Sequence, residues 1–237
     1  MGATKTSNAV AAARGAANGR RNLILIAAVV VIAAAVLGGV VYSHALADQP
    51  QAGGTYTATL QSDGTVVAGS STAKATLDVY EDFLCPYCKH NLEDPYGKAI
   101  TQAIAAGSLR VNYHVLDLLD NETTPAGYSL RAGNAALAAA KAGRFAEFHA
   151  ALYNAQPTEG QAGYTNDQLV DIGRKAGITG QQFADQVRGG TFDTEIRSQT
   201  DKARDSVNFK GTPTVLMGGT QVDIAKAGWL AQLTGAA

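Results

Sequence analysis

Cysteine is almost absent: the 237 residues contain two, Cys85 and Cys88. Two thiols cannot supply the four ligands of a structural zinc site. A bridge between them closes so short a loop that it adds little stability. The four histidines (His44, His90, His114, His149) are scattered, so no metal centre is expected. An excess of positive charge is missing too, with 19 basic and 20 acidic residues. The segment before Asp48 holds four of the basic residues (Lys5, Arg14, Arg20, Arg21) and no acidic one, which leaves 15 against 20 in the remainder. A mildly acidic globular part argues against nucleic acid as a partner.

The two cysteines sit together in Cys85-Pro86-Tyr87-Cys88, within one helical turn and directly after an apolar, strand-like run. That spacing suits a reversible dithiol/disulfide switch. If the pair opens a helix, Cys85 lies where free N–H groups and peptide dipoles stabilise a thiolate. Cys88, one turn further in, is placed to attack a mixed disulfide on Cys85.

Leu23 to Val41 carries no charge, and about 20 such residues span a bilayer. Arg20 and Arg21 abut its start, which keeps the N-terminus cytoplasmic by the positive-inside rule. We therefore expect a cytoplasmic basic tail over 1–22, a single-pass signal anchor over 23–42 in the cell membrane, and a tether over 43–54. The rival is a secretory signal peptide cleaved after Ala47, since Ala45-Leu46-Ala47 is a small-x-small site; the apolar run is longer than the roughly 7–15 residues of such a segment. Either way the cysteine pair reaches an oxidising, extracytoplasmic compartment.

The folded part is expected from Thr55 onward. Thr55–Leu60, Asp63-Gly64 and Thr65-Val66-Val67 predict a hairpin. Ala75–Phe83 predicts a central strand, and 85–106 a helix kinked or broken near Asp94-Pro95. Ser108–Val115 is the next strand. A helical region follows over about 128–207, in which Ala135–Tyr153 has Leu137, Phe145, Phe148 and Leu152 at helical spacing. Thr165 or Asn166 caps a further helix. Pro213–Met217 and Thr220–Val222 predict a second hairpin around Gly218-Gly219, and Ile224–Leu233 a closing helix. Trp229 and the phenylalanines are assigned to the core. The order is β–α–β, helical insert, β–β–α: an α/β layer architecture with the insert as a cap.

This pattern resembles the thioredoxin fold. The insert, followed by Gly211-Thr212-Pro213-Thr214 ahead of a hairpin and final helix, is similar to the DsbA-like branch. So is the segment Ala142-Gly143-Arg144-Phe145-Ala146-Glu147-Phe148-His149. The resemblance covers roughly 60–235 and implies a thiol–disulfide oxidoreductase. It makes Cys85 the exposed nucleophile and Cys88 the buried partner. It makes Pro86-Tyr87 the dipeptide that tunes them, and it matches Pro213 to a cis-proline beside the active site. Thr212, just before it, would pair its backbone with an extended substrate. The strongest oxidants of the family have histidine at the Tyr87 position, so a less extreme thiolate is implied here. Many members carry a buried acid six residues before the first cysteine; here Val79 stands there, with Asp78, Glu81 and Asp82 nearby. Lys89 and His90 could add positive potential or be solvated. His114 and His149 read as packing or surface residues rather than catalytic bases.

No cofactor is required, because the dithiol itself carries the electrons. The implied partners are unfolded or reduced exported proteins and a membrane thiol oxidase that restores the disulfide. Two alternatives share the sequence: a reductase or isomerase using the same site, and a redox-inert binding module or chaperone for exported chains.

Overall fold

A computed structural model of the chain describes residues 56–206 and 208–235. The expected tail, anchor and tether over 1–54 lie outside the described residues. Among the described residues, no helix is long and apolar enough to cross a membrane.

Strands β1 (Ala58–Leu60) and β2 (Val66–Ala68) form the first hairpin, Leu60 opposite Val66. Its loop is set by Asp63, whose carboxylate accepts the Thr65 N–H at 3.0 Å. Strands β3 (Ala75–Glu81) and β4 (Leu109–Val115) run parallel at the centre. A parallel pair needs a crossover, supplied by α1 (Pro86–Cys88), a π-helical turn (Lys89–Glu93) and α2 (Asp94–Ala105). Strands β5 (Thr214–Met217) and β6 (Thr220–Gln221) complete a sheet in the order β1-β2-β4-β3-β5-β6. Alternation along β3 buries Ala75, Leu77, Val79 and Glu81, while Thr76, Asp78 and Tyr80 alternate with them on the other face. In β4, Leu109, Val111, Tyr113 and Val115 are buried in the same way.

The kink expected near Pro95 takes the form of the π-helical turn. Pro95 has no N–H to give a helical bond, and just before it the Asp94 N–H reaches back five residues to the Lys89 carbonyl. The helix widens there and continues.

The insert comprises α3 (Tyr128–Lys141), α4 (Phe145–Asn154), α5 (Asn166–Lys175), α6 (Gln181–Gly189) and α7 (Asp193–Asp205). Helix α3 is buried on nearly every side; its alanines let neighbours approach closely all round. The spacing over Ala135–Tyr153 suggested one helix, and the structure has two. The Arg144 N–H bonds to the Ala139 carbonyl and the Gly143 N–H to that of Ala140, with Gly143 at φ +72°. That is a Schellman stop. Thr165 caps α5 through a reciprocal pair of bonds with Gln168. The closing helix α8 is also shorter than expected, Trp229–Thr234. Asp223 instead folds the preceding residues into a turn, its carboxylate on the Ala225 N–H and its carbonyl on the Lys226 N–H. Trp229 is buried against Tyr96 of α2.

Candidate active site

The core-facing end of β3 runs directly into the cysteine pair. Residues 82–85 form a tight turn: the Asp82 carboxylate accepts the Leu84 N–H at 2.8 Å, and the Asp82 carbonyl accepts the Cys85 N–H at 3.0 Å. Cys85 is then the N-cap of α1, extended at φ −64° and ψ 115°, with Pro86 as the first helical residue. Proline fits there because that N–H has no helical partner to lose. The N–H groups of Tyr87 and Cys88 serve the Cys85 sulfur.

Across the site, Thr212-Pro213 is a cis peptide, as the resemblance implied. Although 127 residues separate them in sequence, the Cys85 thiol donates to the Thr212 carbonyl at 3.2 Å. Cys85 was expected to be exposed, yet only 3% of its surface is open and Cys88 is buried as well. The Thr212 loop covers it. The exposed member of the motif is Tyr87, 66% open.

Both cysteines are free thiols, and their acidities diverge. A hydrogen bond from the Cys88 thiol is the main cause that brings Cys85 down to about 6; burial opposes it, and the Thr212 side chain and the two helix N–H groups assist. Burial pushes Cys88 well above the ordinary range, and the neighbouring Cys85 adds to this. Hydrogen bonding to one sulfur thus favours its anion at the expense of the other.

Beneath the pair lies a buried charged group that joins Glu81, one of the three acids noted near the motif, to His149, which read as a packing or surface residue. His149 of α4 places Nε2 at 2.9 and 3.1 Å from the two carboxylate oxygens of Glu81. Its Nδ1 is 3.9 Å from Glu93, at the end of the π-helical turn. The Tyr153 hydroxyl donates to Glu81 at 3.2 Å. Burial alone would lower the imidazole, but the Glu81 charge and hydrogen bond, with Glu93, raise it to about 9. Burial likewise raises Glu93. Aromatic rings of Phe83, Tyr113, Phe145 and Tyr153 surround His149. The legible signal was Glu81 itself: it shares the core-facing register with Leu77 and Val79, and a carboxylate in that register needs a partner.

Asp82 is fully buried, and its carboxylate accepts from Leu84 N–H, Ser129 Oγ at 2.7 Å and Leu119 N–H at 2.9 Å. Burial raises it to about 7 against those bonds. Of the three acids near the motif, then, Glu81 and Asp82 face the cysteines. Asp78 faces the other way and holds Asn112 and His114 at 3.0 and 3.2 Å. His114 stacks on Tyr80, a packing role. His90 is exposed and pairs with Asp94 at 3.1 Å.

This geometry has relatives. The thioredoxin family model Thioredoxin_4 matches residues 61–233. Among curated proteins, the serine/threonine-protein kinase PknE of Mycobacterium tuberculosis is 30% identical over 178 residues, 72% of this chain and 31% of the kinase. The chain thus spans about a third of the length of the curated relatives it matches. Among solved structures, oxidised DsbA of Mycobacterium tuberculosis is 27% identical at a TM-score of 0.60, covering 76% of this chain and 93% of that one. MdbA of Corynebacterium diphtheriae, a thiol-disulfide oxidoreductase, shares the fold at TM-score 0.64 and 24% identity, covering 81% and 98%. BdbD of Bacillus subtilis shares it at 0.61 and 21%, covering 76% and 95%. The strand–turn–helix that presents the cysteines, the cis-proline facing them and these matches agree: the chain belongs to the thioredoxin family and is similar in fold to DsbA-type thiol–disulfide oxidoreductases.

Proposed function

We propose that this protein is a membrane-anchored, extracytoplasmic oxidoreductase that introduces disulfides into exported proteins, with Cys85 and Cys88 as its redox pair. The supporting observation is the divergence of two thiols within one turn, Cys85 lowered to about 6 and Cys88 raised. Pro86 and Tyr87 tune the pair, and Thr212 with Pro213 forms the substrate side. The uncharged run over 23–42 is the proposed anchor.

Starting from the Cys85–Cys88 disulfide, a substrate thiolate attacks the Cys85 sulfur. The bond to Cys88 breaks, and Cys88 leaves with the electron pair and takes up a proton. A second substrate thiolate attacks the substrate sulfur of the mixed disulfide and expels Cys85 as a thiolate. The substrate loses two electrons to the enzyme dithiol. A lowered pKa at Cys85 suits this last step, because a stabilised thiolate leaves faster. The Thr212 carbonyl accepts a hydrogen bond from the Cys85 thiol; once the proton is lost to solvent, the donors around the sulfur hold the anion. A membrane thiol oxidase then removes the electrons and restores the disulfide.

The test is the reduction potential of the purified full-length chain in glutathione buffers, read by thiol alkylation. A potential near or above that of glutathione, with rapid transfer of the disulfide to a reduced unfolded protein, supports the donor role. A potential far below it turns the assignment to a reductase or isomerase.

A further inference from the structure

Four of the five residues from 81 to 85 are held by side chains of the helical insert. His149 and Tyr153 hold Glu81, and Ser129 holds Asp82. The remaining contact comes from Gln156, just beyond α4. Its Nε2 donates to the Phe83 carbonyl at 3.0 Å and to the Cys85 carbonyl at 3.0 Å. Both amide hydrogens of one side chain are therefore spent on the two peptides that bracket Leu84-Cys85. Gln156 is itself anchored, its N–H on the Tyr153 carbonyl at 3.2 Å, at the end of the helix that carries His149.

We propose that Gln156 is a positioning residue for the redox reaction: its two bonds hold the Cys85 turn so that the first N–H groups of α1 face the Cys85 sulfur, which makes the insert part of the redox centre. The inference rests on reading Cys85 and Cys88 as the redox pair. The physical reason is twofold. The peptide planes after Phe83 and Cys85 fix how the chain enters α1, and so where the Tyr87 and Cys88 N–H groups point. The Cys85 carbonyl oxygen also carries partial negative charge in the same residue as the sulfur. A donor on it draws that charge away, whereas a free carbonyl opposes a thiolate beside it. The Cys85 carbonyl also takes the Lys89 N–H, at a longer 3.4 Å, so Gln156 is its better partner.

The experiment uses the reduced full-length chain with Gln156→Met, which has the same reach and no donor, and Gln156→Glu, which has the same shape and presents a carboxylate. Alkylation of Cys85 by iodoacetamide is followed across pH. Near pH 6, where the wild-type thiol titrates, Gln156→Met should react about threefold to tenfold more slowly and Gln156→Glu more slowly still. At about pH 10, where the thiol ionises in every variant, the rates should converge. The glutathione equilibrium should move in the same order. A fall in rate that is equal at all pH values would mean lost access or folding and would overturn the proposal, as would wild-type profiles in both variants. Should Gln156→Glu fail to fold, Gln156→Met decides alone. If wild-type Cys85 titrates as an ordinary thiol and exchanges with nothing, the redox reading fails and takes this inference with it.

Discussion

Strand β3 carries two acid–histidine pairs on opposite faces, and they behave differently. On the core face Glu81 meets His149, with side chains 2% and 6% exposed. On the other face Asp78 meets His114, with side chains 31% and 15% exposed. Both are N···O contacts of about 3 Å. In the first, burial works to lower the imidazole, but the Glu81 charge and hydrogen bond, with the Glu93 charge, overcome it and raise the group to about 9. In the second, the His114 hydrogen bond is the main cause that lowers Asp78. The chemistry of the pair is nearly constant, and the surroundings decide what it does. Only the buried pair lies beneath the cysteines, and the Glu81 charge is felt by Cys88.

The largest expected effect comes from breaking the buried pair on one side. Glu81→Leu strands the His149 charge in the core and should cost about 3–5 kcal/mol in a urea melt. Replacing both residues, Glu81→Leu with His149→Leu, should recover much of that loss, because the pair's desolvation penalty disappears with its charges. Recovery of nothing would show that the charges were not coupled.

A second difference is the end of the pH scale at which each pair fails. His149 is raised above its ordinary 6.5 to about 9. Its contribution is full below pH 6.5 and lost as pH rises through about 9. Asp78 is lowered from 3.8. Its contribution is present above that value and lost as pH falls through its own folded value. Melting temperature across pH, measured in the Cys85→Ser/Cys88→Ser background so that thiol titration does not overlap, should show an alkaline loss. Glu81→Gln should flatten it, and Asp78→Asn should leave it intact.

Two smaller effects sharpen the contrast. Glu81→Gln removes a charge that disfavours the Cys88 thiolate, so Cys88, mapped by mass after alkylation, should become reactive at lower pH. Asp78→Asn should leave both cysteine profiles unchanged and cost less than about 1 kcal/mol, as expected for a partly exposed pair.

Local signals made much of the framework legible. The Leu, Val, Tyr and Phe content of 75–83 marked β3, alternation marked β4, Thr165 stood as one of two N-cap candidates, and the resemblance matched Pro213 to a cis-proline. Helix phase misled at Gly143, because Phe145, Phe148 and Leu152 stay in register with Leu137 across a three-residue stop. The exposure assigned to Cys85 failed because its cover comes from Thr212, far away in sequence. His149 could be placed on an apolar helix face, but a neutral packing histidine and a buried imidazolium look alike until Glu81 and Glu93 are brought to it. Glu81 was visible by parity, Glu93 was not: the π-helical turn that precedes Pro95 sets which way it faces.

The central claim is that one turn holds one acidic and one suppressed thiol. It is tested most directly by the pH dependence of alkylation of the reduced full-length chain, with each modified cysteine identified by mass. The account expects a Cys85 midpoint near 6 and a Cys88 that stays unreactive well past it. Two equal midpoints in the ordinary thiol range, or a Cys88 that reacts first, would contradict it.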